Sequence, residues 1–426
     1  MAAGTYDLRS QAATAAVPDG VTPLRWHNSP GTSDTIESGL GWSLDPWQVS
    51  GPARDLLRVA GGAYLADALT NRGTTFTRDI SLTVAVSEVD RWTSEVTDQF
   101  CDLLYWLTGD QWQLIITPDD TSNTHQTLDE TDPVATTPVA LLSGGLDSYL
   151  GAIHLLAAQP DVHFIGHKDA ANVIKAAQSA VHGWLSVAYS PAPSYTRVPF
   201  RPAAGKRERS SRSRSLLFSA LGIAAAASRG AETLYVPENG YTSLNLPLHP
   251  NRAGALTTRS THPLTFQRLA SLLDALGIQV ALSNPFQQMT KGEVMATVAS
   301  QPPPARWLET SWQTISCGKL DGGRMPGGNP NFNCGLCVPC MVRRGTYIAA
   351  DQPDQTRYLV NEMTGSDRTE LIRRRQGDLD AILYATGEPV DDDLIDSQTW
   401  PSGFDLDAAQ ALAQRGLDEL AAVPHP

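Results

Sequence analysis

Residues 139–152 read VALLSGGLDSYLGA. The apolar run VALL, closed by a Ser-Gly-Gly turn, predicts a short buried strand, and the apolar spacing from about residue 147 predicts a helix. This strand–turn–helix unit opens a longer alternation. VHFIG (162–166) predicts a strand and the stretch around 171–186 a helix. SRSLLFSALGIAAAASRG predicts a helix ending at Gly230, and TLYVP (233–237) a strand. TFQRLASLLDALG then predicts a helix closed by Gly277, and IQVALSNP a final strand. Strands alternating with helices predict a parallel sheet covered on both faces. The Ser-Gly-Gly turn thereby falls at the carboxyl end of a parallel strand, which is where open α/β sheets bind ligands.

The turn has the chemistry of an anion site. Gly144 and Gly145 allow conformations in which successive N–H groups bear on one point. Ser143 and Ser148 add hydroxyl donors, and the helix behind them adds its positive amino end. Phosphate is the natural guest. The G-x-x-x-x-G-K-[ST] spacing of a Walker A loop is absent, and so is G-x-G-x-x-G. Asp147 beside a phosphate calls for a cation such as Mg2+, or for a role in capping the helix.

The flanks of this unit read differently. Residues 1–117 predict a small α+β domain: Ile80, Leu82, Val84 and Val86 alternate, Val96, Phe100, Leu103, Leu104 and Leu107 recur at helical spacing, and Trp112, Leu114 and Ile116 alternate again. Six of the ten tryptophans lie here (Trp26, Trp42, Trp47, Trp92, Trp106, Trp112), and core packing is the expected role for them. Residues 118–137 are polar, acidic and aperiodic, as a linker is. Beyond about 352 two helices are expected, near 368–384 and 404–421. At 426 residues and 41% hydrophobic the chain has room for more than one core. It holds no run of 18 apolar residues and no basic-then-apolar leader, so a cytoplasmic location and no membrane partner are expected. The net charge of −13 argues against general nucleic-acid binding. The local basic run Arg197, Arg201, Lys206, Arg207, Arg209, Arg212, Arg214 reads as a solvated loop or as a flap over phosphates.

Four of the five cysteines lie at 317–340 with spacing C-x16-C-x2-C-x2-C. In a chain expected to be cytosolic this pattern points to metal rather than disulfides. Cys317, Cys334, Cys337 and Cys340 can close a tetrahedral Zn2+ site with no open position, hence a structural one. An iron–sulfur cluster is the rival occupant. Cys101, apart from these, reads as a core residue.

The string SGGLDS (143–148) resembles the S-G-G-x-D-S signature of the PP-loop ATP pyrophosphatases. That resemblance implies an adenine-nucleotide alpha hydrolase-like α/β fold and cleavage of ATP between its α- and β-phosphates. With the cysteines, and with NPFQQMTKGEV, TISC and CGLCVPCMVRR further on, the chain resembles the 7-cyano-7-deazaguanine synthases (the QueC family) over about residues 138–350. The resemblance implies ATP contacts from the SGGLDS residues Ser143, Gly144, Gly145, Leu146, Asp147 and Ser148, and His167, at the end of the second predicted strand, is placed to flank the nucleotide. It makes Asp147, Lys291 and Arg214 the catalytic candidates. It also implies zinc on the four cysteines and a 7-deazapurine carboxylate as substrate. The domains it suggests are 1–117 accessory, 118–137 linker, 138–352 PP-loop unit with the four-cysteine site, and 353–426 helical extension.

Two departures bear on the reaction. Where the family has Arg-Asn, this chain has Arg214-Ser215. The family's Gly-Tyr-Pro-Asp-Cys-Arg substrate segment is replaced by residues 238–263, whose Glu238, Asn239, Thr261 and His262 become the substrate-binding candidates. With its added terminal regions the chain looks like the QueC-like proteins of antiphage defence systems, of the Qat type or as CBASS subunits. That likeness implies transfer of the activated acid to ammonia or to an amine of a partner protein from the same operon. A housekeeping nitrile synthase, a tRNA thiolase and a non-catalytic nucleotide-binding subunit are the alternatives. A homodimer and a hetero-complex both remain open.

Overall fold

A computed structural model of the chain describes residues 2–9, 17–27, 35–37, 49, 51–74, 76–119, 137–168, 171–202, 208, 212–252 and 259–426. Most of the expected linker (120–136), Trp42, Trp47, the basic residues Lys206, Arg207 and Arg209, and residues 253–258 of the substrate segment lie outside the described residues.

The N-terminal section is α/β, not the α+β unit its alternating patterns predict. Strands β1 (Ala2–Leu8), β2 (Thr22–His27) and β3 (Thr35–Glu37) precede helix α1 (Gly51–Leu69); β4 (Arg78–Val86), α2 (Ser94–Thr108) and β5 (Gln111–Pro118) follow. The pairings β5–β4, β4–β1, β1–β2 and β2–β3 are all parallel. The alternation in β4 and β5 is real, but α2 returns the chain to the starting edge between them, and such a crossover makes neighbours parallel.

The second sheet carries the predicted alternation. It comprises β6 (Val139–Leu141), α3 (Leu146–Ala158), β7 (His163–His167), α4 (Asn172–Ala188) and β8 (Tyr195–Val198). A short β9 (Arg201–Pro202) leaves this sheet and pairs antiparallel with β3 of the first. Then come α5 (Arg214–Ser228), β10 (Thr233–Tyr235), α6 (Gly240–Leu244), α7 (Pro263–Leu276), β11 (Ala281–Ser283) and α8 (Lys291–Ser300). All pairings in the order β11-β10-β6-β7-β8 are parallel. The direction of winding reverses between β6 and β10.

Helix α1 packs on α5, and α2 on α7, so helices of both sheets share the layer between them. One apolar cluster runs through it, from Leu8, Trp26 and Leu82 to Leu217, Leu221 and Leu234. Trp26, Trp92 and Trp106 are buried, in keeping with core packing. A separate cluster fills the opposite face of the second sheet, with Tyr149, Phe164 and Phe286. Cys101 is half-buried on α2 rather than in the core, and burial pushes its thiol up to about 11.

The C-terminal third consists of α9 (Trp307–Ser311), α10 (Val338–Ala349), α11 (Leu359–Glu362), α12 (Gly365–Ala385), α13 (Asp392–Asp396) and α14 (Leu406–Ala421). Its own cluster joins the four cysteines to Leu371, Ile382, Leu412 and Leu420. The two predicted tail helices are α12 and α14. No helix among the described residues is long and apolar enough to cross a membrane.

Candidate functional site

The crevice at the reversal of winding, beyond the ends of β6 and β10, is the standard ligand position in such a sheet. A cavity of about 300 Å³ occupies it. Ser143, Gly145 and Ser148 line one wall, from the β6–α3 turn. Val236, Pro237 and Glu238 form another, from the end of β10. His167 and Gln178 close the β7 side, and Arg214, Ser215 and Phe218 project from the first turn of α5. Thr261 completes the rim.

The turn is held in one shape by its own groups. Gly144 has φ of 87°, the left-handed region. Its carbonyl accepts from Ile315 N at 3.2 Å. Ser148 Oγ accepts from Ser143 N at 3.1 Å and lies 3.0 Å from Ser143 Oγ. Gly145 N donates to Ser143 Oγ at 3.2 Å. Gly145 is the N-cap of α3, so the first-turn amides of Leu146, Asp147 and Ser148 have no acceptor within the helix. These amides, the serine hydroxyls and the exposed Arg214 are donors that an anion at the turn could use.

Gln178 carries no motif in the sequence. It is 2% exposed. Its Nε2 donates to Ser143 O (3.3 Å) and His167 O (2.5 Å), tying the turn to the end of β7. That leaves its Oε1 buried with no partner among the described residues. His167 stacks against Phe218 with ring centroids 4.9 Å apart, and its Nε2 lies 2.9 Å from Phe200 O. The pair gives the cavity a flat aromatic edge.

Asp147 and Lys291 meet, but one layer behind the cavity wall. Lys291 Nζ lies 2.7 Å from Asp147 Oδ2. Asn239 Nδ2 donates to Asp147 Oδ1 at 3.0 Å. Asn239 is fully buried and also caps α6 through Thr242 N, so it orients Asp147 instead of facing a substrate. Lys291 opens α8 in a capping box made by Thr290 and Glu293. Glu419 of α14 accepts from Thr290 Oγ1 and Gly292 N, so the C-terminal region holds the same helix start.

Glu238 is half-buried in the cavity wall. Burial and the nearby Asp147 carboxylate push its pKa up to about 8, while Lys291 acts in the opposite direction. Its backbone is fixed by Asn284, whose Nδ2 donates to Glu238 O at 2.7 Å. Both oxygens of Asp147 are taken, by Lys291 and Asn239, which leaves Glu238 as the carboxyl group in the cavity wall.

His262 does not take the substrate-facing place expected of it. Its Nδ1 accepts from Leu264 N at 3.1 Å and caps α7. Its ring stacks on Trp400 at 5.2 Å and meets Trp106 edge-on. Burial first, then Arg259, lowers its pKa to about 4, so it is a neutral cap. Thr261, its neighbour, keeps the cavity position and accepts from Ser243 Oγ at 2.9 Å.

The four cysteine sulfur atoms lie within 4.8 Å of one another and are buried. The pairs Cys317–Cys337 and Cys334–Cys340 are both 3.8 Å apart. Tetrahedral sulfurs at a Zn–S distance of ~2.3 Å would stand ~3.8 Å apart, so the set fits that ion. Backbone amides of Cys334 and Cys337 donate to Cys317 Sγ and Cys334 Sγ at 3.4 and 3.3 Å, as amides do around thiolates. Asn333 Oδ1 accepts from Ser316 N and Cys317 N, both at 3.0 Å. Arg375 of α12 reaches Asp321 and Cys334; burial opposes its charge, but these partners outweigh it and raise its pKa. The loop then returns through Ile315 to the Ser-Gly-Gly turn, which links the four-cysteine cluster to the cavity. A larger cavity of about 730 Å³, lined by Trp312, Asn331 and Arg357 among others, lies across Ile315.

No protein-family model matches this chain, and no curated protein matches it significantly.

Proposed function

We propose that this protein is an ATP-dependent ligase resembling the 7-cyano-7-deazaguanine synthases. It adenylates the carboxylate of a 7-deazaguanine or a related flat acid, releases pyrophosphate, and passes the acyl group to a nitrogen nucleophile. The observation that carries this reading is the convergence of the SGGLDS turn, the amino end of α3 and Arg214 on one cavity at the reversal of winding.

The residues have separable tasks. The amides of Leu146, Asp147 and Ser148 and the hydroxyls of Ser143 and Ser148 hold the leaving pyrophosphate. Arg214 stabilises the charge that grows on it, a role suited to preorganised cations. Lys291 and Asn239 hold Asp147 beside Glu238. Mg2+, when bound, would neutralise phosphate charge next to Glu238. The aromatic edge of His167 and Phe218 suits a purine ring, and Glu238 and Thr261 offer polar contacts to a substrate. Adenylation is needed because carboxylate oxide is a poor leaving group and AMP a good one. Zinc at the four cysteines is structural: no coordination position is left for chemistry.

We further place this activity in antiphage defence, with an amine of a partner protein as one acceptor and ammonia as the other. The test is incubation with ATP, Mg2+ and 7-carboxy-7-deazaguanine, with and without ammonium, followed by mass spectrometry. AMP, pyrophosphate and an amide or an adenylate support the reading. Efficient formation of the nitrile favours the housekeeping synthase. No turnover with any acid while ATP still binds favours a non-catalytic nucleotide-binding subunit, and ADP with phosphate contradicts cleavage between the α- and β-phosphates. The Asp147→Ala variant should form no AMP.

A further inference from the structure

The N-terminal section reaches the cavity through one buried carboxylate. Asp67 sits on α1 with no exposed surface. Its Oδ2 accepts from Arg212 N at 2.9 Å, Ser213 N at 3.0 Å and Ser213 Oγ at 2.7 Å. These two residues immediately precede α5, whose first residue, Arg214, lines the cavity. A serine at that position ordinarily caps its own helix by accepting from an amide two or three residues on. Ser213 makes no such cap; its hydroxyl is turned to Asp67, to which it donates. The negative charge that suits a helix amino end is therefore supplied from 146 residues away.

Other contacts fix the same junction. Arg212 Nη1 donates to Thr108 O at 3.0 Å, and its guanidinium lies 5.4 Å over the Phe76 ring. Asp67 is itself locked: its Oδ1 pairs at 2.5 Å with Arg78, which is fully buried and also pairs with Asp110 at 2.6 Å. A buried carboxylate is costly unless every lone pair is used, and here amides, a hydroxyl and a guanidinium use them. Apolar residues of α1 and α5 also pack together in one cluster. What the carboxylate adds is a defined entry of the chain into α5. That sets the direction in which Arg214 leaves the backbone, above Phe218 at 5.8 Å.

We propose that Asp67 is a positioning residue for Arg214, so that the N-terminal section is a working part of the phosphate end of the cavity. The inference rests on the reading of that cavity as an ATP site. It is tested by titrating Mg2+·ATP into the full-length protein, its Asp67→Asn and Arg214→Ala variants, and the double variant. Arg214→Ala is expected to weaken binding about tenfold or more and Asp67→Asn to a similar degree. The double variant should then bind within about twofold of Arg214→Ala. Losses that multiply in the double variant, or a folded Asp67→Asn protein of unchanged affinity, overturn the proposal. If Asp67→Asn does not fold, Ser213→Ala takes its place: its smaller loss should vanish on the Arg214→Ala background, and persistence there overturns the proposal. Absence of ATP binding by the unmodified protein overturns the reading of the cavity and this inference with it; unchanged affinity in the Asp67 and Ser213 variants alone overturns only the inference.

Discussion

Gly144 is the position at which the proposed phosphate turn is most exposed to a single methyl group. Its φ of 87° costs an L-residue about 1–2 kcal/mol. An added Cβ would also meet Gln178, with Cγ at 2.9 Å, the backbone N at 3.1 Å and Cα at 3.3 Å. The side chain can move, but the backbone belongs to α4 and cannot move cheaply, so the turn must shift. Overpacking of this kind adds about 1–3 kcal/mol. The shift would also strain the bond from Ile315 N to Gly144 O. If about 3 kcal/mol of the total falls on the ligand-binding conformation, affinity drops about a hundredfold, at 1.4 kcal/mol per factor of ten. Gly145 is the contrast: its φ is −80° and an added Cβ would meet Ser143 Oγ at 3.3 Å and Ile315 O at 3.5 Å. Gly145→Ala should fold with little loss, and its effect should appear on the ligand. Calorimetric titration with Mg2+·ATP, beside thermal melts, reads both. A Gly144→Ala protein that binds ATP within threefold of the unmodified one and melts at the same temperature would refute the reasoning.

Three further outcomes follow from the same structure. The purified protein should carry about one zinc per chain with an all-sulfur signature in X-ray absorption, and Cys337→Ser should lose the metal and melt several degrees lower; short iron–sulfur distances would reassign the site. Glu238 has a folded pKa above that of an unfolded carboxyl, so the ligand-free protein should lose stability as pH rises from about 4.5 to about 8, and Glu238→Gln should remove that slope in denaturant titrations. His163 is 1% exposed with neither ring nitrogen paired among the described residues. Burial first, then Arg229, lowers its pKa to about 4, below the unfolded 6.5. Its contribution is complete above pH 6.5 and lost on going down towards 4, and His163→Leu should flatten that acid limb in urea midpoints measured across the range.

The second sheet was legible because its strands and helices differ in period and are punctuated by Gly230 and Gly277, both with positive φ. The cysteine centre was legible from spacing alone. The first sheet is α/β where the sequence pattern predicts α+β, because helix α1 offers no polar face: Arg54, Asp55, Arg58 and Asp67 are buried alongside its apolar residues. A helix covered on all sides loses the period that marks it. His262 carried a readable signal, since a polar residue before Pro263 occupies the cap position ahead of a proline at the first helical turn. Asn239 likewise caps a helix through Thr242, three residues on. Gln178, Asp67 and Glu419 left no trace in the sequence. Each acts on backbone far away in the chain, and only the packed fold brings them to the turn, to α5 and to α8.

The central claim is attack by a substrate carboxylate on the α-phosphorus of ATP. It is tested most directly with a carboxylate labelled with oxygen-18, incubated with the protein, ATP, Mg2+ and ammonium. Attack at the α-phosphorus followed by displacement leaves one labelled oxygen in AMP and none in pyrophosphate, read by mass spectrometry. Unlabelled AMP, or label in inorganic phosphate beside ADP, would contradict the account.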